Sequence, residues 1–147
     1  MFAWRADRRR RIARFRALRE LFESFTSEKT PDGRARRLLR DWLSPEQRRQ
    51  FEAESRFEVT GGCTGRRYRI FSGSCANVYE LDDAGEAVMG LCFVPAGGLA
   101  MGDVMLVQKI ALETCEAEAL AKAHKFPPLP STMRPFRQRA ARPAQAP

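Results

Sequence analysis

The chain has 147 residues, 44% hydrophobic and 30% charged, with a formal net charge of +8. That is enough chain for one compact core with flanking segments, and the composition is globular rather than disordered. No apolar run approaches the roughly 20 residues of a membrane span, and the first residues lack the apolar core of a secretory signal, so a soluble cytoplasmic protein is expected.

The charge is unevenly spread. Residues 1–43 carry 13 basic and 6 acidic side chains, residues 44–126 carry 9 and 12, and residues 127–147 carry 4 and none. Basic arms on a mildly acidic core are the pattern of chains that meet nucleic acid, anionic lipid or an acidic partner. The plainer alternative is charge that only keeps the chain in solution.

Residues 1–25 space Phe15, Leu18, Phe22 and Phe25 along one side at helical intervals, with Arg8, Arg9, Arg10, Arg11, Arg14, Arg16 and Arg19 on the others. A basic amphipathic helix is expected. Its aromatic stripe suits packing on the core, on a protein partner or on a second copy, and its guanidinium face suits phosphate oxygens, which the planar fork matches. A membrane-surface role is weakened by Asp7, Glu20 and Glu23. Residues 24–33 are rich in turn formers and read as a linker, giving a first segment of 1–33.

A single core domain is expected over 34–126. Residues 34–43 predict a short helix with Leu38, Leu39, Trp42 and Leu43 clustered on one side and Arg34, Arg36, Arg37 and Arg40 around the rest. Ser44, Pro45 and Gln47 then predict a capped start to a second helix that reaches about Ser55 and buries Phe51.

Four strands follow, joined by glycine-containing turns: 57–60, 66–71, 76–81 and 86–94. In the second, Tyr68 and Ile70 point one way and Arg67 and Arg69 the other. Arg67 and Arg69, with Tyr79 on the neighbouring strand, offer a face that grips a backbone and stacks a base; Glu58 and Glu80 are available to pair with them instead. After a flexible connection over 96–102, Asp103 is placed to cap one long helix from Val104 to about His124, with Cys115 inward and Glu113, Glu116 and Glu118 outward. Residues 127–147 hold six prolines and four arginines and predict a second, disordered basic arm.

The fold class expected is α+β: a four-stranded antiparallel meander packed by a long C-terminal helix and preceded by N-terminal helices. Four cysteines without a C-x-x-C pair signal neither zinc nor a redox motif, and meander geometry puts Cys63 and Cys75 at opposite ends of the sheet. Cys92 and Cys115 read as small buried residues. With one histidine, His124, and no recognised catalytic motif, no enzyme chemistry, metal site or cofactor is expected.

The blocks TGRRYRIFSGSCANVYELD, LCFVP and GDVMLVQKIALET are similar to those of a family of small uncharacterised bacterial and phage proteins with a T-G-[RK]-x-Y-R-I-x-x-G block and a D-V-M-L-x-Q-K helix. Thr64, Gly65, Tyr68, Arg69, Ile70, Gly73, Asn77, Val78, Asp103, Gln108 and Lys109 carry the resemblance, which spans about residues 38–124. It implies a prokaryotic cytoplasmic setting and a domain bounded as above, and nothing about a substrate. The leading expectation is a non-catalytic binding protein in which Arg8, Arg9, Arg10, Arg11, Arg14, Arg16, Arg34, Arg36 and Arg37 neutralise nucleic-acid phosphates and Arg67 and Arg69 extend the track. The alternative is an assembly module acting through Phe15, Leu18, Phe22 and Phe25.

Overall fold

The structure, a computed structural model, describes residues 28–128 together with Arg14 and residues 16–19. Arg8 to Arg11, the stripe positions Phe15, Phe22 and Phe25, and the chain beyond residue 128 lie outside the described residues.

The fold is α+β. Helices α1 (Pro31–Trp42) and α2 (Pro45–Glu54) precede strands β1 (Arg56–Thr60), β2 (Arg67–Phe71), β3 (Val78–Leu81) and β4 (Ala87–Cys92); helices α3 (Met101–Thr114) and α4 (Glu116–Lys122) then lead to β5 (His124–Phe126). Each strand pairs antiparallel with the next in sequence, giving a five-stranded meander rather than the four expected. The fifth strand forms because the chain returns from α4 along β4, where Phe126 lies opposite Gly90 and its ring fills the space that a β-carbon there would take.

Local chemistry sets the boundaries. Thr30 caps α1 by accepting from Gly33 N–H at 3.0 Å, and Pro31 follows at the first turn, so this helix starts inside the expected linker. The expected capping box opens α2: Ser44 Oγ accepts from Gln47 N–H at 3.2 Å, and Gln47 Oε1 accepts from Ser44 N–H at 3.1 Å. Of the leucine and tryptophan cluster on α1, Leu39 and Leu43 are buried while Leu38 and Trp42 face solvent.

The third helix departs most from expectation. It begins at Met101 behind Ala100, not at a cap by Asp103, and Gly102 is buried against the backbone of Ala35 rather than lying in a flexible connection. At Cys115 the backbone leaves the helical region, with φ −134° and ψ 42°, so one long helix becomes two. The break turns Glu116 into the core and leaves Cys115 exposed, reversing the expected placement of both. His124 is exposed in a strand, not at a helix end.

The main core cluster takes its sheet residues from one face, while Leu81, also buried, pairs opposite Arg67 and lies outside that cluster. Phe57, Val59, Tyr68, Ile70, Val78 and Leu91 pack with Leu39 and Leu43 of the α1 turn, Phe51 of α2, Met105, Leu106 and Leu112 of α3 and Ala119 of α4. The outer face carries Arg56, Glu58, Arg67, Arg69, Phe71, Tyr79 and Phe126, which are half-buried or exposed. Among the described residues no helix is long and apolar enough to cross a membrane.

Candidate nucleic-acid interface

Two carboxylates organise the polar chemistry of the sheet, one on each face. On the inner face Glu116 is fully buried. Its Oε2 accepts from the backbone N–H groups of Cys63 and Thr64, both at 2.8 Å, and its Oε1 accepts from Tyr68 Oη at 2.7 Å and Thr64 Oγ1 at 2.5 Å. The β1–β2 loop closes on this carboxylate, and a β-carbon on Gly61 would collide with it. Glycine at 61 therefore serves close approach, while Gly65, at φ 72°, is where the loop uses the left-handed region. Burial opposes the charge on Glu116, but four donors outweigh it and hold the carboxyl at about 2. Burial, and then the Glu116 carboxylate beside it, push the Tyr68 hydroxyl well above its ordinary range.

Asn77, just before β3, and Gln108 of α3 form a buried reciprocal amide pair, each donating to the other at 2.9 Å. Asn77 Nδ2 also donates to Phe71 O at 3.0 Å, which ties the β2–β3 turn to α3. Thus Thr64, Tyr68, Asn77 and Gln108 build the scaffold.

On the outer face Glu58 lies directly opposite Arg69, with Arg67 two residues along the same strand face. Arg67 Nη2 donates to Oε2 at 2.7 Å; Arg69 donates to Oε1 through Nη2 at 2.7 Å and Nε at 3.2 Å. Burial raises and the two guanidiniums lower the Glu58 carboxyl, leaving it below its ordinary value. Arg66, just before β2, pairs with Glu80 at 3.3 Å. Both acidic partners named from sequence are thus engaged.

Aromatic rings continue the same face. Phe71 meets Tyr79 edge-on at 5.6 Å, Tyr79 meets Phe126 edge-on at 5.7 Å, and the Arg56 guanidinium lies 5.6 Å from the Phe71 ring centre. Sequence reasoning found Arg67, Arg69 and Tyr79 but missed Arg56, Phe71 and Phe126. For Phe71 the signal was there, since it continues the alternation of Arg67 and Arg69; Phe126 needed the unseen fifth strand.

The other expected phosphate contacts sit elsewhere. Arg14 and Arg16 are exposed on helical backbone. On α1, Arg34 donates to Lys29 O at 2.9 Å, Arg37 to Glu28 at 2.7 Å, and the Arg36 guanidinium stacks 5.6 Å from the Phe51 ring centre. Arg36 also borders a cleft of about 180 Å³ with Asp32, Ser55 and Ser72 at the start of α3. These three arginines belong to the helical layer and Arg67 and Arg69 to the outer face of the sheet. All four cysteines are free, and among the described residues no group of three or more histidine, cysteine or acidic side chains is arranged to hold a metal ion.

No protein-family model matches the chain, and no curated protein or solved structure is detectably similar to it.

Proposed function

We propose that the chain is a non-catalytic nucleic-acid-binding protein that engages phosphates chiefly through its arginine-rich arms. The observation that carries this reading is the division of charge. Residues 28–128 hold 14 basic and 15 acidic side chains, so the rest of the chain holds 12 basic and 3 acidic. Within the folded part, Arg37, Arg40, Arg49, Arg56, Arg66, Arg67, Arg69 and Lys109 each meet a carboxylate. The 28–128 domain is self-neutralised and the positive excess of the sequence lies outside it, a division of charge that suits displacing the counterions of a polyanion.

A mobility-shift titration of the full chain at low salt, with labelled single and double strands, tests this. Retardation is expected, and replacing Arg8, Arg9, Arg10 and Arg11 together by glutamine should weaken it on the order of 100-fold. Absence of retardation with both kinds of strand ends the proposal.

Exposed apolar side chains favour a second reading, assembly through the N-terminal stripe. Leu18 is 63% exposed, and Leu38 and Trp42 on α1 are 45% and 59% exposed. If this is the use of the stripe, light scattering will report a dimer that Leu18→Asp dissociates; a monomer at every concentration removes the reading.

A further inference from the structure

We infer that the outer face of the sheet holds a phosphodiester-binding fork, filled by Glu58 in the protein alone, whose ligand is an unpaired nucleic-acid strand. The inference rests on the nucleic-acid reading above and gives that reading a substrate class and a built-in competitor.

The fork is made by two guanidiniums on one carboxylate. Arg67 holds Oε2 and Arg69 holds Oε1, with three N–H groups between 2.7 and 3.2 Å. A phosphodiester presents the same pair of anionic oxygens to a guanidinium plane, and arginine binds both in the same way. Among the described residues Glu58 is the one carboxylate in direct contact with both guanidiniums, while Asp82 and Asp83 act on Arg67 from farther away. The Arg67 side chain is 45% exposed, Glu58 25% and Arg69 14%, so an oxyanion approaches the fork from the Arg67 side.

The carboxylate is held in place by its own backbone. Glu58 N–H donates to Gln50 Oε1 and Glu58 C=O accepts from Gln47 Nε2, both at 2.9 Å, so α2 closes the free edge of β1 and fixes the register of Glu58 against Arg69. When a phosphate takes the guanidiniums, the Glu58 side chain swings into water and its backbone stays.

The neighbours of the fork select the strand type. Tyr79 is the direct cross-strand partner of Arg69, and Phe71 continues the face along β2. Aromatic surface beside a phosphate site suits bases out of a helical stack, and a duplex keeps its bases inside. Asp82 and Asp83 add negative charge near Arg67. A bound strand therefore runs from the fork toward Phe71 and Arg56, away from the β3–β4 turn.

The test uses the full chain and fluorescence anisotropy at constant salt, with a labelled oligodeoxythymidine, a duplex of equal length, and inorganic phosphate as competitor. Glu58→Gln keeps an acceptor but removes the competing charge, and is expected to tighten single-strand binding about tenfold. Arg67→Gln with Arg69→Gln is expected to weaken it about tenfold or more, with duplex affinity unmoved by either change. Single-strand affinity that ignores both variants while the Arg8–Arg11 substitutions abolish it overturns the fork and leaves the arms standing. Binding by no form of the protein overturns both. An equal response of duplex and single strand, or phosphate competing as well as the oligonucleotide mole for mole, overturns the unpaired strand as ligand.

Discussion

Glu116 and Glu58 are both glutamates that accept several hydrogen bonds and are held below the ordinary carboxyl range, yet they do opposite work on opposite faces of one sheet. Glu116 takes neutral donors from a loop and a strand lying 48 to 53 residues earlier in the chain, inside the core. Glu58 takes charged donors from the adjacent strand at the surface. Glu116 and Tyr68 are fully buried, so the centre of the inner cluster is closed to a substitute acceptor, while the Cys63 and Thr64 side of the loop faces outward. Charged donors at the surface accept any anion of the right shape. The inner cluster therefore holds the fold together, and the outer one is free to exchange.

Breaking the inner side should cost most. Glu116→Gln keeps one oxygen for the Cys63 and Thr64 N–H groups but replaces the charged acceptor of the Tyr68 and Thr64 hydroxyls by an NH2 donor, a loss on the order of 3 kcal/mol in chemical denaturation. A loss below about 1 kcal/mol would mean that the loop relaxes and that Glu116 is not its anchor. The pH dependence follows with a definite sign. Glu116 sits at about 2 in the fold against an ordinary 4.5, so its contribution is fully present above about 4.5 and drains away as the pH falls toward 2. Thermal melts of the wild type between those limits should fall steeply, and Glu116→Gln should flatten the fall. Next in size is Asn77→Ala, which strands the Gln108 amide and the Phe71 carbonyl and should cost about 2 kcal/mol by the same measurement. Smallest is Glu58→Gln, expected to change stability by less than about 1 kcal/mol, since partly exposed ion pairs contribute little. A large loss there would put Glu58 among the structural residues and contradict the contrast between the faces.

What the sequence made legible was whatever local chemistry specifies. The Ser44–Gln47 box, the alternation of Phe57–Val59 and of Arg67–Ile70, and the glycine turns each carry their signal within a few residues, and the first four strands follow in order. Three residues followed by two prolines carry no period, so β5 was invisible until Gly90 and Phe126 were seen together. The break at Cys115 has no glycine or proline to announce it. It is set by Glu116 reaching Tyr68 and the β1–β2 loop, and a glutamate on a helix is placed outside unless those distant partners are known. On the outer face the arginines and their acidic competitor were both readable, but the sharing of one carboxylate by Arg67 and Arg69 needed the register of β1 against β2.

The account stands most directly on the salt dependence of single-strand affinity in the full chain. Log affinity against log salt should give a straight line of steep negative slope, and substituting Arg8, Arg9, Arg10 and Arg11 by glutamine should reduce that slope by about three. A slope near zero, or one that the four substitutions leave unchanged, would contradict it.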